Sequence, residues 1–181
     1  MDKKEYREVL RYELYGNKNL YRNTNPSFLQ RLRIKYFQPN TNCIYLARKM
    51  WWLFGRGGVH KYRAKLIYLR ILHRYGCIIF PTAKVGRGFH ITHPVGIVIG
   101  NCEVGQNFMI YQNCTIGLKV AGEGYPTIGN NVELCANSLI LGNVNVCDNC
   151  MIGAASLVVN SLSEAGIYVG TPAKKVEKSK M

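Results

Sequence analysis

From Ile79 onward, large apolar residues recur at every sixth position: Ile79, Val85 and Ile91, then, after one extra residue, Val98, Val104, Ile110 and Ile116. Twelve residues later the series resumes as Ile128, Leu134, Ile140, Val146, Ile152 and Val158. Four residues after most of these stands a second inward position. It is mostly small (Ala83, Val95, Cys102, Cys114, Val132, Ser138, Val144, Cys150, Ser156), with Phe89 and Phe108 as bulky exceptions. Neither a 3.6-residue nor a 2-residue period explains a run of sixes. One short strand plus one turn per hexad does, and three hexads then close a triangular coil of about 18 residues. Gly follows the register residue at 86, 105, 117, 129 and 153, and Asn or Asp is frequent at the turns, where these residues tolerate the dihedrals required. Thirteen register positions predict about four coils, each burying its face on the next.

The sixes stop short of the N-terminus. Residues 2–15 carry Tyr6, Val9, Leu10 and Leu14 with charges between them, a pattern that predicts an amphipathic helix ended by Gly16. Pro26-Ser27 predicts the start of a second helix running to Phe37, stopped by Pro39. Two more are expected over 41–54 and 59–75, broken at Gly55-Arg56-Gly57-Gly58. The fold class is therefore mainly β. A parallel β-helix over 78–162, with an extruded loop at 118–127, follows a helical region at 1–77 and precedes a C-terminal segment at 163–181.

Charge divides the chain at the same place. Residues 1–77 hold 17 Lys/Arg against four acids, Asp2, Glu5, Glu8 and Glu13, and no Asp or Glu occurs from Leu14 through Cys102. Two readings stay open. The helices form a cap on the coil, with long basic side chains covering apolar surface. Alternatively, residues 41–75, with Trp51, Trp52 and several tyrosines, make a peripheral contact with an anionic inner membrane face or a lipid-linked substrate. No nucleic-acid-binding motif is present. The N-terminus has no signal-peptide pattern and no stretch nears the ~18 apolar residues of a spanning helix, so a cytoplasmic location is expected. Seven cysteines at irregular spacing suggest no disulfide framework. The lone Cys147-x-x-Cys150 lacks the second ligand pair that zinc requires, so no metal site is expected. His60 and His73 fall inside predicted helices and are read as structural.

The remaining chemistry concentrates in Val85-Gly-Arg-Gly-Phe-His-Ile-Thr-His-Pro-Val-Gly-Ile-Val-Ile-Gly100, followed by Cys114-Thr115-Ile116-Gly117, Gly142-Asn143 and Val169-Gly-Thr-Pro-Ala-Lys174. Across about residues 76–176 this resembles the hexapeptide-repeat transferases, in particular the serine acetyltransferase branch with its relatives in capsule and exopolysaccharide clusters. The resemblance implies a left-handed coil, a homotrimer with active sites between subunits, and acetyl-CoA as co-substrate. It places His93 at the catalytic base. An imidazole, with a pKa near about 6.5, is suited to remove a hydroxyl proton while backbone N–H groups stabilise the oxyanion formed at the thioester carbonyl. His90 ranks second. For the donor, the matching positions are Gly117, Leu118, Ala136, Ala154, Thr171, Pro172, Ala173, Lys174 and Lys175, the two lysines meeting phosphates as point charges.

The departures matter as much. Ile78 stands where the branch has an Asp paired with the base, Thr92 where an Asp precedes it, and Tyr125-Pro126 where a serine-contacting His-Pro lies. These losses shift the expected acceptor from serine to a saccharide hydroxyl. A catalytically silent trimeric scaffold is the third alternative. His93 then needs a new orienting group, either a backbone carbonyl or one of Glu103, Glu123 and Glu133. Thr92, Gln112 and Tyr125 complete the acceptor-site candidates.

Overall fold

The computed structural model describes residues 2–15 and 27–176. Gly16 and Pro26, the expected helix stop and start, lie outside them. Four helices precede the coil: α1 (Lys3–Tyr15), α2 (Phe28–Phe37), α3 (Pro39–Gly55) and α4 (Val59–Tyr75). Gly76, at φ 61°, closes α4 in the left-handed conformation that glycine adopts without steric cost.

The coil is a parallel β-solenoid with three faces. The first face stacks Ile78–Ile79, Val98–Ile99, Thr115–Gly117, Leu139–Leu141 and Leu157–Val158. The second stacks Lys84–Val85, Glu103–Val104, Thr127–Ile128 and Asn145–Val146, and Leu162 bridges to Val146. The third stacks His90–Ile91, Met109–Ile110, Glu133–Leu134, Cys150–Ile152 and Gly166–Val169, closed by antiparallel Lys174–Val176. There are thus about five turns rather than four. Gly166–Val169 adds the last rung with Tyr168 inward, 6% exposed, where the series of Ile, Val and Leu has already ended.

The register departs from the sixes at one place. Ile79, Ile99, Ile116, Ile140 and Val158 form the inner column of the first face, each at most 1% exposed. Burying such a side chain contributes roughly 1.5–3 kcal/mol. Val98 is not in that column; it pairs with Ile78 and Thr115 on the outer side. Val95, expected inside, is 58% exposed, and Ile97 is buried instead. Both shifts have one cause. Asn113 N–H donates to Val95 as Asn137 N–H donates to Gln112 and Ala155 N–H to Ala136, so Val95 is the equivalent of Gln112 and Ala136. Thr92 precedes it as Tyr111 precedes Gln112. His93 and Pro94 are therefore a two-residue insertion at the corner between third and first faces, where the sequence suggested one extra residue.

Elsewhere the corners are regular. Asn113, Asn137 and Ala155 hold φ of 56–62° at the third-to-first corner, below Gly96 at 64°. Asn107, Asn131 and Asn149, at φ of 55–60°, occupy the second-to-third corner below Gly88 at 88°. Their amides form ladders: Asn107 Nδ2 donates to Asn131 (2.9 Å), Asn131 Nδ2 to Asn149 (3.0 Å) and Asn113 Nδ2 to Asn137 (3.2 Å). Asn tolerates the left-handed conformation and offers a hydrogen-bonding side chain.

The helices dock through a buried ion pair. Glu13 and Arg48 side chains are 0% and 4% exposed and meet at 2.6 Å. Glu13 Oε1 also accepts from the N–H groups of Gly88 and Phe89, both at 2.9 Å, while Arg48 donates to the carbonyls of Val85 and Gly86. The pair caps the open end of the second-to-third corner, satisfying polar backbone that has no further coil above it. Trp51 donates Nε1 to Phe80 O at 3.0 Å, and Trp52 stacks on Tyr6 with centroids 4.7 Å apart. Both tryptophans are engaged within the protein.

Candidate active site

The insertion explains why His93 stands out. A regular corner turns between adjacent residues; here two more must fit, so the chain loops outward. Pro94 is buried, while His93 is exposed and its carbonyl accepts Val95 N–H at 2.9 Å, closing the bulge. His90 differs. It lies on the third face in line with Met109 and Glu133, and burial holds its pKa below the usual range.

Below His93 the same corner descends through Gln112, Ala136 and Ala154. Gln112 carries a buried side-chain oxygen, Oε1, that has no hydrogen-bond partner. At the foot of this edge lies the C-terminal turn. Gly170 N–H donates to Ser156 Oγ (3.0 Å), Thr171 Oγ1 to Ala155 O (3.5 Å) and Ala173 N–H to Leu157 O (2.7 Å). Ala136, Ala154, Thr171, Pro172 and Ala173 thus line one edge with His93 at its upper end. Lys174 is exposed beside them; Lys175 pairs with Glu164 at 2.6 Å, which raises the lysine pKa and lowers that of the carboxyl. Gly117 and Leu118 are elsewhere, at the far end of a first-face strand.

The three carboxylates considered as partners for His93 separate clearly. Glu103 is on the second face, paired with exposed Lys84 at 2.5 Å, and so is not an orienting group within this chain. Glu123 belongs to the loop at 118–127, which folds back so that Glu123 Oε2 and Lys119 lie near Gly142. Tyr125 packs over Gly100, where a Cβ would come within 2.5 Å of its ring. His93 precedes the first-face strand Val98–Ile99 and the loop follows its stacked neighbour Thr115–Gly117, so they lie at opposite edges of that face and neither Glu123 nor Tyr125 faces His93 in one chain. Glu133 is better placed. It lies near Tyr111, whose phenol pKa its charge raises, and Tyr111 stacks one coil below Thr92 on the third face. Thr92 directly precedes His93. Ile78, where the resemblance would put an acid, pairs with Val98 beyond the same corner and brings no charge. Among the described residues, no group of three or more His, Cys, Asp or Glu could hold a metal ion.

Two features were not anticipated. Glu13 is the last acid before the long acid-free stretch, and Arg48 lies on the buried side of α3 among Ile44, Ala47 and Met50; an arginine at such a helical position is itself a signal of a buried anion. Tyr111 as a neighbour of both Glu133 and Thr92 carries no local signal.

No family model matches the chain. A serine acetyltransferase of Mycobacterium tuberculosis is 30% identical over 167 residues, 91% of this chain and 72% of that protein. One from Staphylococcus xylosus is 41% identical over 106 residues, 57% of this chain and 49% of that protein, so the match spans about half the length of some curated relatives. Among solved structures, a Neisseria gonorrhoeae serine acetyltransferase aligns over 98% of this chain and 67% of its own, at TM-score 0.77 and 29% identity. The same protein in complex with serine aligns at TM-score 0.76.

Proposed function

The chain belongs to the serine acetyltransferase family, and from that premise we propose that it transfers the acetyl group of acetyl-CoA to the hydroxyl of serine, with His93 as general base. The observation that carries this reading is the corner itself. The one irregular turn of the third-to-first edge holds an exposed histidine, and the edge beneath it has the small residues and C-terminal turn expected to take coenzyme A. His93 removes the hydroxyl proton as oxygen attacks the thioester carbon. The tetrahedral intermediate collapses with cleavage of the C–S bond, and the imidazolium returns its proton to the departing thiolate. Thr92, stacked above Tyr111, and Gln112, with its unpartnered oxygen, frame the base.

A second copy of the chain completes the site in this reading. Gly117, Leu118 and the loop at 118–127 lie across the first face from His93, so their place beside a donor comes from a neighbouring subunit of a homotrimer. The saccharide acceptor expected from the sequence finds no support among the relatives, which are named as serine acetyltransferases. The substitutions at Ile78, Thr92 and Tyr125 make the acceptor the quantity to measure. The purified full chain with acetyl-CoA is expected to form O-acetylserine, read by mass spectrometry with release of free CoA thiol. Faster transfer to a sugar hydroxyl than to serine would replace serine with a saccharide; no transfer to any hydroxyl would leave the scaffold alternative.

A further inference from the structure

Helix α4 buries one side and leaves the other unpartnered. Ala64, Ile71 and Tyr75 are buried against α3 and the coil. The opposite side presents Val59, Tyr62 and Leu66, exposed by 70%, 76% and 67%, at intervals of three and four residues. At 3.6 residues per turn these three fall on one line, and the half-exposed Leu69 continues it. Exposed Lys61 and Lys65 border the stripe on one flank, and exposed Arg63, Arg70 and Arg74 on the other. The helix has no Asp or Glu, and among the described residues none of the ion pairs involves it. Along the lysine flank runs an open groove of about 780 Å³, floored by Phe54, Tyr68, Phe80 and Pro81.

From this arrangement we propose that the outward face of α4 is a docking surface for an anionic phospholipid bilayer, on which the helix lies in the plane of the headgroups. An apolar stripe with basic residues along both edges is the geometry of an interfacial helix: the stripe enters the acyl boundary while lysine and arginine stems reach back to the phosphates. Charge decides against a second copy of the chain, because two such faces would bring five cations against five with no acid to neutralise them. No helix of the described residues is long and apolar enough to cross a membrane, so the contact is peripheral.

The test is flotation of the full-length protein with phosphatidylcholine vesicles, with and without phosphatidylglycerol. Binding is expected with phosphatidylglycerol at low salt, with loss at high salt and none with phosphatidylcholine alone. Lys61→Glu and Lys65→Glu should each weaken partitioning roughly fivefold or more, from the attraction of one basic residue to such a surface. The double variant Tyr62→Glu, Leu66→Glu should abolish it while leaving the melting temperature and acetyl transfer intact. Binding that ignores phosphatidylglycerol, or that survives the double variant, overturns the proposal. So does a change of oligomeric state in the double variant by light scattering, which would make the face an interface between copies, or tighter binding to polyglutamate than to vesicles, which would point to an acidic protein.

Discussion

Two corners of the same edge behave differently. At Gln112–Asn113 and Ala136–Asn137 the chain turns at once, each asparagine in the left-handed conformation, with Asn113 Nδ2 donating a hydrogen bond to Asn137 Oδ1. One coil higher, between Thr92 and Val95, two further residues intervene and the ladder ends at Gly96, where a Cβ would meet Asn113 Oδ1 at 2.3 Å. The regular corners spend their polar groups on one another; the irregular one leaves an imidazole facing solvent. In a solenoid each coil is held by the next, so a local insertion disturbs little beyond its own turn. The fold can thus carry chemistry at one corner while the others carry stability.

Making the corners alike should have the largest effect. Deleting His93 and Pro94 restores the length of the lower corners, and should leave the circular dichroism spectrum of the coil intact while abolishing acetyl transfer. Next in size is the cap at the first coil. Glu13→Ala strands Arg48 as a buried charge and should cost about 3–5 kcal/mol in chemical denaturation; Glu13→Gln, which keeps the acceptor oxygen, should cost less. A regular corner should give way more gently. Asn137→Ala removes one ladder bond and should cost about 1 kcal/mol, with transfer unchanged. Smallest is the effect of pH through His90. Its folded pKa is depressed by burial, so below the unfolded value of about 6.5 the unfolded chain takes up a proton that the folded chain does not. Stability should fall as pH drops through that value, and His90→Gln, compared by denaturation at about pH 7.5 and 5.5, should flatten that part of the slope.

The period of six made most of the coil legible, because each inward position demands a large apolar residue. It failed where apolar residues are too dense to choose between. Val95, Ile97, Val98 and Ile99 offer several apolar registers, and only the backbone pairing selects Ile97 and Ile99. The fifth rung escaped because its inward residue is Tyr168 and because the step from Val158 to Leu162 is two residues short of six, which breaks the period. His93 was legible from its motif, but its surroundings were not. Thr92, Tyr111 and Glu133 meet by stacking of successive coils, a proximity that no local pattern encodes. Glu13 and Arg48 are 35 residues apart and of types usually exposed, so their burial became visible only when α1 and α3 met the first coil.

In the proposed reaction His93 acts as a base and does not hold the fold together. The direct measurement pairs two readings on His93→Ala: the rate of CoA release from acetyl-CoA with serine as acceptor, and the melting temperature. The rate should fall by roughly 10²–10⁴-fold with the melting temperature unchanged. A variant that transfers acetyl at the rate of the unaltered protein would contradict the role of His93 as base.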